Sequence, residues 1–301
     1  MTDSKKGLLY AFLAYLSWAL LSFYWKALGG VPAYSTFAYR IVWTFLTMLA
    51  YFFVTGKRQK MTNQLSGLWQ SPKSLIRMIL ASLFIALNWL TYIYAVGNGQ
   101  ATEASLGYYL MPLVSVCLSV FFLREKLALA EWFAVGLASL GVLLLLGLTG
   151  RLPLISLILA LSFGIYGLLK KQVILSSDLA MLVEAGFILP FALIYLVFFS
   201  PVSWFSFSLT EQVLLFLSGL ITAIPLLLFA EAVKRAPLSQ VGFIQYLNPT
   251  LQLLIAVFIF QEGITAGELM GFSLIWLAVL LFIAIQVLRL RQLKEKRHQT
   301  K

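Results

Sequence analysis

Ten apolar runs of about 20 residues follow one another along this chain, separated mostly by short polar turns. A run of that length forms a helix of about 30 Å, the thickness of a bilayer's hydrocarbon core. The runs cover 7–26, 34–54, 74–96, 102–123, 128–146, 152–170, 179–199, 211–233, 238–260 and 267–288. The two longer connections lie near 55–73 and 200–210. Only 11% of the 301 residues are charged, while 61% are hydrophobic. So few charges cannot clothe a water-exposed surface. A soluble protein with buried helices needs polar faces between such runs, and few are present. The expected fold class is an all-α polytopic membrane protein with ten transmembrane helices.

The charges set an orientation. The formal net charge is +11, which invites a nucleic-acid reading, but the basic residues sit in short runs between apolar spans. Placing the N-terminus inside puts every Lys and Arg except Lys26, Arg40 and Arg151 on the cytoplasmic side. The positive-inside rule therefore makes both termini cytoplasmic. No nucleic-acid partner is expected; membrane lipids are, with the basic tail at 291–301 acting as a topology anchor on the inner surface. Lys5 and Lys6 lead straight into a long apolar run, which reads as a first span and not a cleavable signal. One cysteine (Cys117) and one histidine (His298, in the tail) give no disulfide and no zinc pattern. No cofactor is expected.

The chain also repeats itself. Tyr109-Leu110-Met111-Pro112 and Tyr246-Leu247-Asn248-Pro249 lie at a constant offset, which also matches Glu125 with Glu262 and Glu131 with Glu268. The proline and glutamate matches carry the inference, since matches of Leu or Val alone mean little in such a chain. Two units follow: 1–148 and 149–290, each of five spans. Five is odd, so the second unit is inserted upside down relative to the first. Inverted repeats of this kind underlie alternating access. Prolines break helices, and the matched pair Pro112 and Pro249 reads as cavity-facing hinges. The alternative is ordinary transmembrane proline.

Polar side chains at lipid depth are costly and face protein or water. Lys26 closes span one, and Arg40 lies about two turns inside span two. Span three carries Asn88, Trp89 and Tyr92; span four carries Glu103, Ser105 and Tyr108; span nine carries Gln240, Gln245 and Asn248. Arg40 is the leading candidate, because a deep arginine needs a carboxylate, a carbonyl or an anionic ligand; the alternative is snorkelling to the headgroups. The substrate-binding set is Lys26, Arg40, Asn88, Trp89, Tyr92, Ser105, Tyr108 and Gln245. Glu103 and Glu231 are the candidate coupling carboxylates, with protons as the coupling partner. Each also reads as a helix cap or an ion pair, and Glu231 has Arg235 four residues on. Trp18, Tyr24, Trp25, Trp43, Trp89 and Tyr92 are candidate walls of an apolar cavity, whereas Trp204 and Phe205 fit an interfacial belt. Gly136, Ala138 and Gly141 favour close helix packing.

The stretches Tyr24-Trp25-Lys26, Arg40-Ile41-Val42-Trp43, Ala86-Leu87-Asn88-Trp89, Glu103-Ala104-Ser105-Leu106-Gly107-Tyr108 and Gln245-Tyr246-Leu247-Asn248-Pro249-Thr250 resemble the bacterial RarD proteins, in the EamA-like branch of the drug/metabolite transporter superfamily. The resemblance runs from about residue 5 to 290. It implies ten helices as two inverted five-helix repeats around a central cavity, in a bacterial inner membrane. It also implies export or exchange of a metabolite, amino acid or amphipathic compound. One departure is Tyr39, where the family is expected to carry a histidine before the arginine, so a histidine proton relay is not available.

The expected function is a secondary transporter, an exporter or exchanger of a small organic solute. No nucleotide-binding domain is legible, and neither is a catalytic signature, so the chain reads as a non-enzyme. A membrane-embedded enzyme on a lipid-like substrate would need clustered acids, a metal site or a nucleophile at one face. A scaffold or receptor would lack a polar cavity. A channel would not need duplicated, broken helices.

Overall fold

The computed structural model describes residues 3–98, 100–149, 154–259 and 263–299. Arg151 and Glu262, both used in the sequence reading, lie outside them. Among the described residues there are twelve α-helices, a single 3-10 turn at Trp204–Ser206, and no strands. The helices are α1 (Asp3–Ala27), α2 (Ala33–Val54), α3 (Arg58–Trp69), α4 (Pro72–Gly97), α5 (Ala101–Leu123) and α6 (Leu129–Thr149). After these come α7 (Leu154–Gln172), α8 (Ser177–Phe198), α9 (Leu209–Arg235), α10 (Leu238–Gln245), α11 (Leu247–Phe258) and α12 (Ala266–Gln299). Nine of them (α1, α2, α4 to α9 and α12) are long and apolar enough to cross a membrane.

The span expected at 238–260 is two helices, not one. α10 ends at Gln245 and α11 starts at Leu247. Pro249 accounts for the break: it has no N–H to donate to the Gln245 carbonyl, and its ring crowds that carbonyl. Pro112, its sequence match, sits inside α5, which runs on unbroken. The connection near 55–73 is also not plain loop. It holds the amphipathic helix α3, whose Leu68 is buried and whose Met61 and Leu65 pack on the core. Gln64 of α3 accepts from Ser176 N and Oγ, both at 3.0 Å, and Lys60 reaches Asp178 at 3.4 Å.

The helices pair in a regular way. α1 packs on α9 and α4 on α7; α5 packs on α7, and α10 and α11 on α1; α2 packs on α8 and α6 on α12. Matching α1, α2, α4, α5 and α6 in order with α7, α8, α9, α10–α11 and α12 turns each pairing into another of the set. Large apolar side chains face outward around the bundle, among them Phe133, Leu143, Phe191, Val197 and Leu280. Water would not tolerate that surface, and lipid suits it. The chain is a polytopic all-α membrane protein.

Small residues bring the helices close, as lipid-embedded packing requires. Gly141 of α6 crosses α12 so tightly that a Cβ would stand 2.7 Å from the Gly271 carbonyl oxygen. Nothing crowds Gly136, so the glycine pattern of α6 is only partly a packing signal. Gly219 of α9 lies against α2, where a Cβ would overlap the Trp43 carbonyl. Backbone cannot swing aside as a side chain does. Gly219→Val is therefore expected to cost about 3 kcal/mol or more, read as a lower melting temperature in detergent. An unchanged melting temperature contradicts this close crossing.

Candidate functional site

A cavity of about 740 Å³ opens among α1, α2, α4, α5, α7, α9, α10, α11 and α12. All eight residues of the expected substrate set line it: Lys26, Arg40, Asn88, Trp89, Tyr92, Ser105, Tyr108 and Gln245. Pro249 lines it as well, and Pro112 does not. The cavity runs from Tyr15, Trp18 and Phe163 at its floor to Lys26, Gly263, Ile264 and Glu268 at the end of the bundle away from the chain termini. Sequence reading passed over Tyr15, Thr222 and Gln252, which also line it. The signal for these was weak, because single hydroxyls and amides in apolar runs are common.

Arg40 is the one guanidinium on the cavity wall among the described residues. Its carbon stands 4.3 Å from the Trp89 ring centre and 5.4 Å from those of Trp25 and Phe37. Its Nε and Nη2 are buried and make no hydrogen bond among the described residues. The ion pairs found there do not include it. Aromatic faces attract a guanidinium, but a ring offers no lone pair to an N–H. These donors are left without an acceptor among the described residues.

The other candidates divide by role. Asn88 is tied to α7: its Nδ2 donates to the Leu159 carbonyl at 2.8 Å and lies 3.1 Å from Ser162 Oγ. Its amide nitrogen is thus committed to holding α4 on α7. Tyr92 and Tyr108 meet edge to face at 5.6 Å. The Gln245 side-chain oxygen accepts from the Tyr15 hydroxyl at 3.5 Å. Trp18, Trp25, Trp89 and Tyr92 are walls as expected; Tyr24 and Trp43 are not. Tyr24 donates to the Leu214 carbonyl, and Trp43 packs on Phe216 at 4.7 Å. Trp204 packs its ring on Tyr39 at 5.0 Å, and Phe205 beside it is exposed. Gln240 turns away from the cavity to Gln286, at 3.2 Å.

Neither candidate coupling carboxylate lines the cavity. Glu231 pairs with Arg235 at 2.7 Å, its i+4 neighbour. Glu103 is half-buried at the start of α5, where its backbone carbonyl accepts from Ser156 Oγ at 2.6 Å.

Below the floor the bundle is shut in layers. Tyr15, Trp18, Phe163, Tyr166 and Phe229 form an aromatic plug, with Phe163 and Phe229 5.2 Å apart and Tyr166 stacked on Phe229 at 5.8 Å. Next comes a buried ion pair that sequence reading missed. Lys170 Nζ lies 2.8 Å from Glu184 Oε1, with the side chains 1% and 6% exposed, and the Tyr166 hydroxyl donates to Glu184 Oε2 at 3.3 Å. The basic pair Lys170-Lys171 carries a topology signal in sequence, and nothing in it separates the buried lysine from its neighbour.

The last layer is a clasp from Glu125. Its carboxylate accepts from Leu238 N at 2.8 Å, Ser239 N at 3.0 Å and Ser239 Oγ at 2.6 Å, capping α10. Arg124, at φ +55°, turns the chain so that Glu125 reaches across. Lys171 stands 3.8 Å from Glu125 and donates to the Ala236 carbonyl at 2.6 Å. Removing the carboxylate orphans three donors at a helix start. Glu125→Ala is expected to cost about 1–2 kcal/mol, seen as roughly tenfold faster amide exchange at Leu238 and Ser239. Unaltered exchange there would show that the clasp contributes nothing.

The profile described as the EamA-like transporter family matches residues 5–147 and again 152–284. The chain belongs to the EamA-like transporter family. It is 42% identical to the uncharacterized transporter YojE of Bacillus subtilis over 286 residues, covering 95% of this chain and 96% of that one. It is 38% identical to the protein RarD of Salmonella typhimurium, covering 93% and 95%. A solved structure titled "Crystal structure of protein" aligns with a TM-score of 0.70 at 20% identity, over 93% of this chain and 97% of that one, so the fold is shared. Within the EamA-like family the chain stands with the RarD proteins, and it is a multi-pass membrane transporter.

Proposed function

We propose that this EamA-like protein is a secondary transporter that exports or exchanges a small metabolite, amino acid or amphipathic organic compound across the bacterial inner membrane by alternating access, with both termini cytoplasmic. The observation that carries the reading is a polar cavity reaching one end of the bundle while three layers close the other. A permanent pore would not be plugged, and a scaffold would not hold unsatisfied donors on an interior wall. Arg40 binds an anionic group of the solute, Tyr108 and Gln245 offer neutral hydrogen bonds, and the aromatic walls take its apolar part.

The paired family matches support two five-helix units of opposite sense, 1–148 and 149–290. Their matched tyrosines behave differently, as expected of a carrier caught in one state. Tyr109 donates to the Pro249 carbonyl at 3.1 Å, while the Tyr246 hydroxyl is buried with no partner among the described residues. In the opposite state Tyr246 makes the counterpart bond, with Pro112 and Pro249 as the hinges. Counterflow in sealed proteoliposomes, screened over metabolites, amino acids and amphipathic acids, tests the proposal. Trans-stimulated uptake of one class is the expected result; a protein that binds such solutes and moves none of them sinks it. Uptake indifferent to an imposed pH gradient rules out obligatory proton coupling.

A further inference from the structure

Arg40 and Glu184 hold the same place in matched helices. Each is the eighth residue of a 22-residue helix, α2 or α8, and each of these helices is the second in its family-matched segment. The two halves have placed opposite charges there, and among the described residues only one of them has a counter-ion. Glu184 sits in the closed end with its own counter-ion, Lys170 at 2.8 Å, and a hydrogen bond from Tyr166. Arg40 sits on the open side with aromatic faces and no carboxylate partner among the described residues. Glu268, the acid that lines the same cavity among the described residues, is committed to capping α12, accepting from Thr265 N at 2.9 Å and Thr265 Oγ1 at 2.7 Å.

Alternation must shut the Arg40 side as tightly as the Glu184 side is shut now. Glu184 tolerates dry packing because Lys170 cancels its charge. A guanidinium buried without an anion meets the full penalty of an unpaired interior charge, and the aromatic rings carry no net charge to offset it. We infer that this protein is an obligatory exchanger of organic anions: the substrate's negative group is the counter-ion without which the cavity does not close over Arg40. The empty carrier is held open on the Arg40 side, so net flux without a counter-substrate is blocked. This rests on the alternating-access reading above and adds to it that exchange is obligatory and that the substrate's charge is what lets the cavity close.

The test reads the closed end. Val233 is fully buried one helical turn beyond Phe229 of the plug, on the same face of α9. In a Cys117→Ala background, Val233→Cys reports opening of that end by reaction with a charged methanethiosulfonate reagent in nanodiscs. Without ligand, the Arg40 protein is expected to be protected. Arg40→Leu and Arg40→Gln, which have no charge to bury, are expected to label roughly a hundredfold faster. Arg40→Lys, which keeps the charge, stays protected. Benzenesulfonate is expected to raise labelling of the Arg40 protein, and neutral benzenesulfonamide to leave it unchanged. Equal labelling of the empty Arg40 protein and its Arg40→Leu variant overturns the inference, as does an equal effect of the amide or no effect of the sulfonate. If Val233→Cys stays protected in every variant while Ser105→Cys in the cavity reacts in all, the two-state reading itself fails, not just the exchange mode.

Discussion

Glu184→Gln is expected to destabilise the protein by about 3–5 kcal/mol, because it strands the Lys170 ammonium in a dry interior. The geometry gives the size of the effect. Lys170 and Glu184 are 1% and 6% exposed and 2.8 Å apart, so neither solvent nor salt screens the loss. The same replacement removes the acceptor of the Tyr166 hydroxyl bond only in part, since an amide oxygen still accepts; the cost is thus a charge effect. The double variant Lys170→Met with Glu184→Leu removes both charges together and is expected to melt near the wild-type temperature or above it. Melting curves of the purified protein separate the two cases. A single variant as stable as the wild type would mean that water reaches this pair.

Arg40→Ala is expected to do the reverse. It removes a charge with no ion-pair partner among the described residues, so the melting temperature should hold or rise, while solute binding and counterflow fall by roughly a hundredfold or more. Arg40→Lys is expected to fall between, because an ammonium keeps the charge but loses the forked pair of donors. Unchanged binding and transport of a verified substrate in Arg40→Ala would remove Arg40 from the site. Together the two residues make a sharp contrast: Glu184 is a charge that Lys170 needs beside it, and Arg40 is a charge the fold only tolerates.

Much of the site is legible in the chain alone. Lys26, Arg40, Asn88, Trp89, Tyr92, Ser105, Tyr108 and Gln245 stand out as polar or aromatic residues in lipid-depth runs, and they do share one cavity. The cost of polar atoms in hydrocarbon is a rule about a residue and its depth, so it needs no knowledge of neighbours. Where that rule falls short, neighbours decide. Asn88 has the chemistry of a ligand-binding amide but donates to the Leu159 carbonyl. Trp43 has the same apolar ring as Trp89, yet it faces Phe216 instead of the cavity. Glu125 looks like an ordinary loop acid until α10 is seen to start against it.

By itself the sequence determined that the chain lives in a membrane, where most of its spans run, and which side chains are too polar to face lipid. Hydrophobic length and charge bias are local quantities, summed along the chain, and they need no partner. Only the tertiary structure decided that Lys170 neutralises Glu184, that Glu125 clasps α10 across 113 residues of chain, and that Arg40 is left with aromatic faces. Those outcomes depend on which helices meet and at what height, and electrostatic energy depends on separation in space, not in sequence.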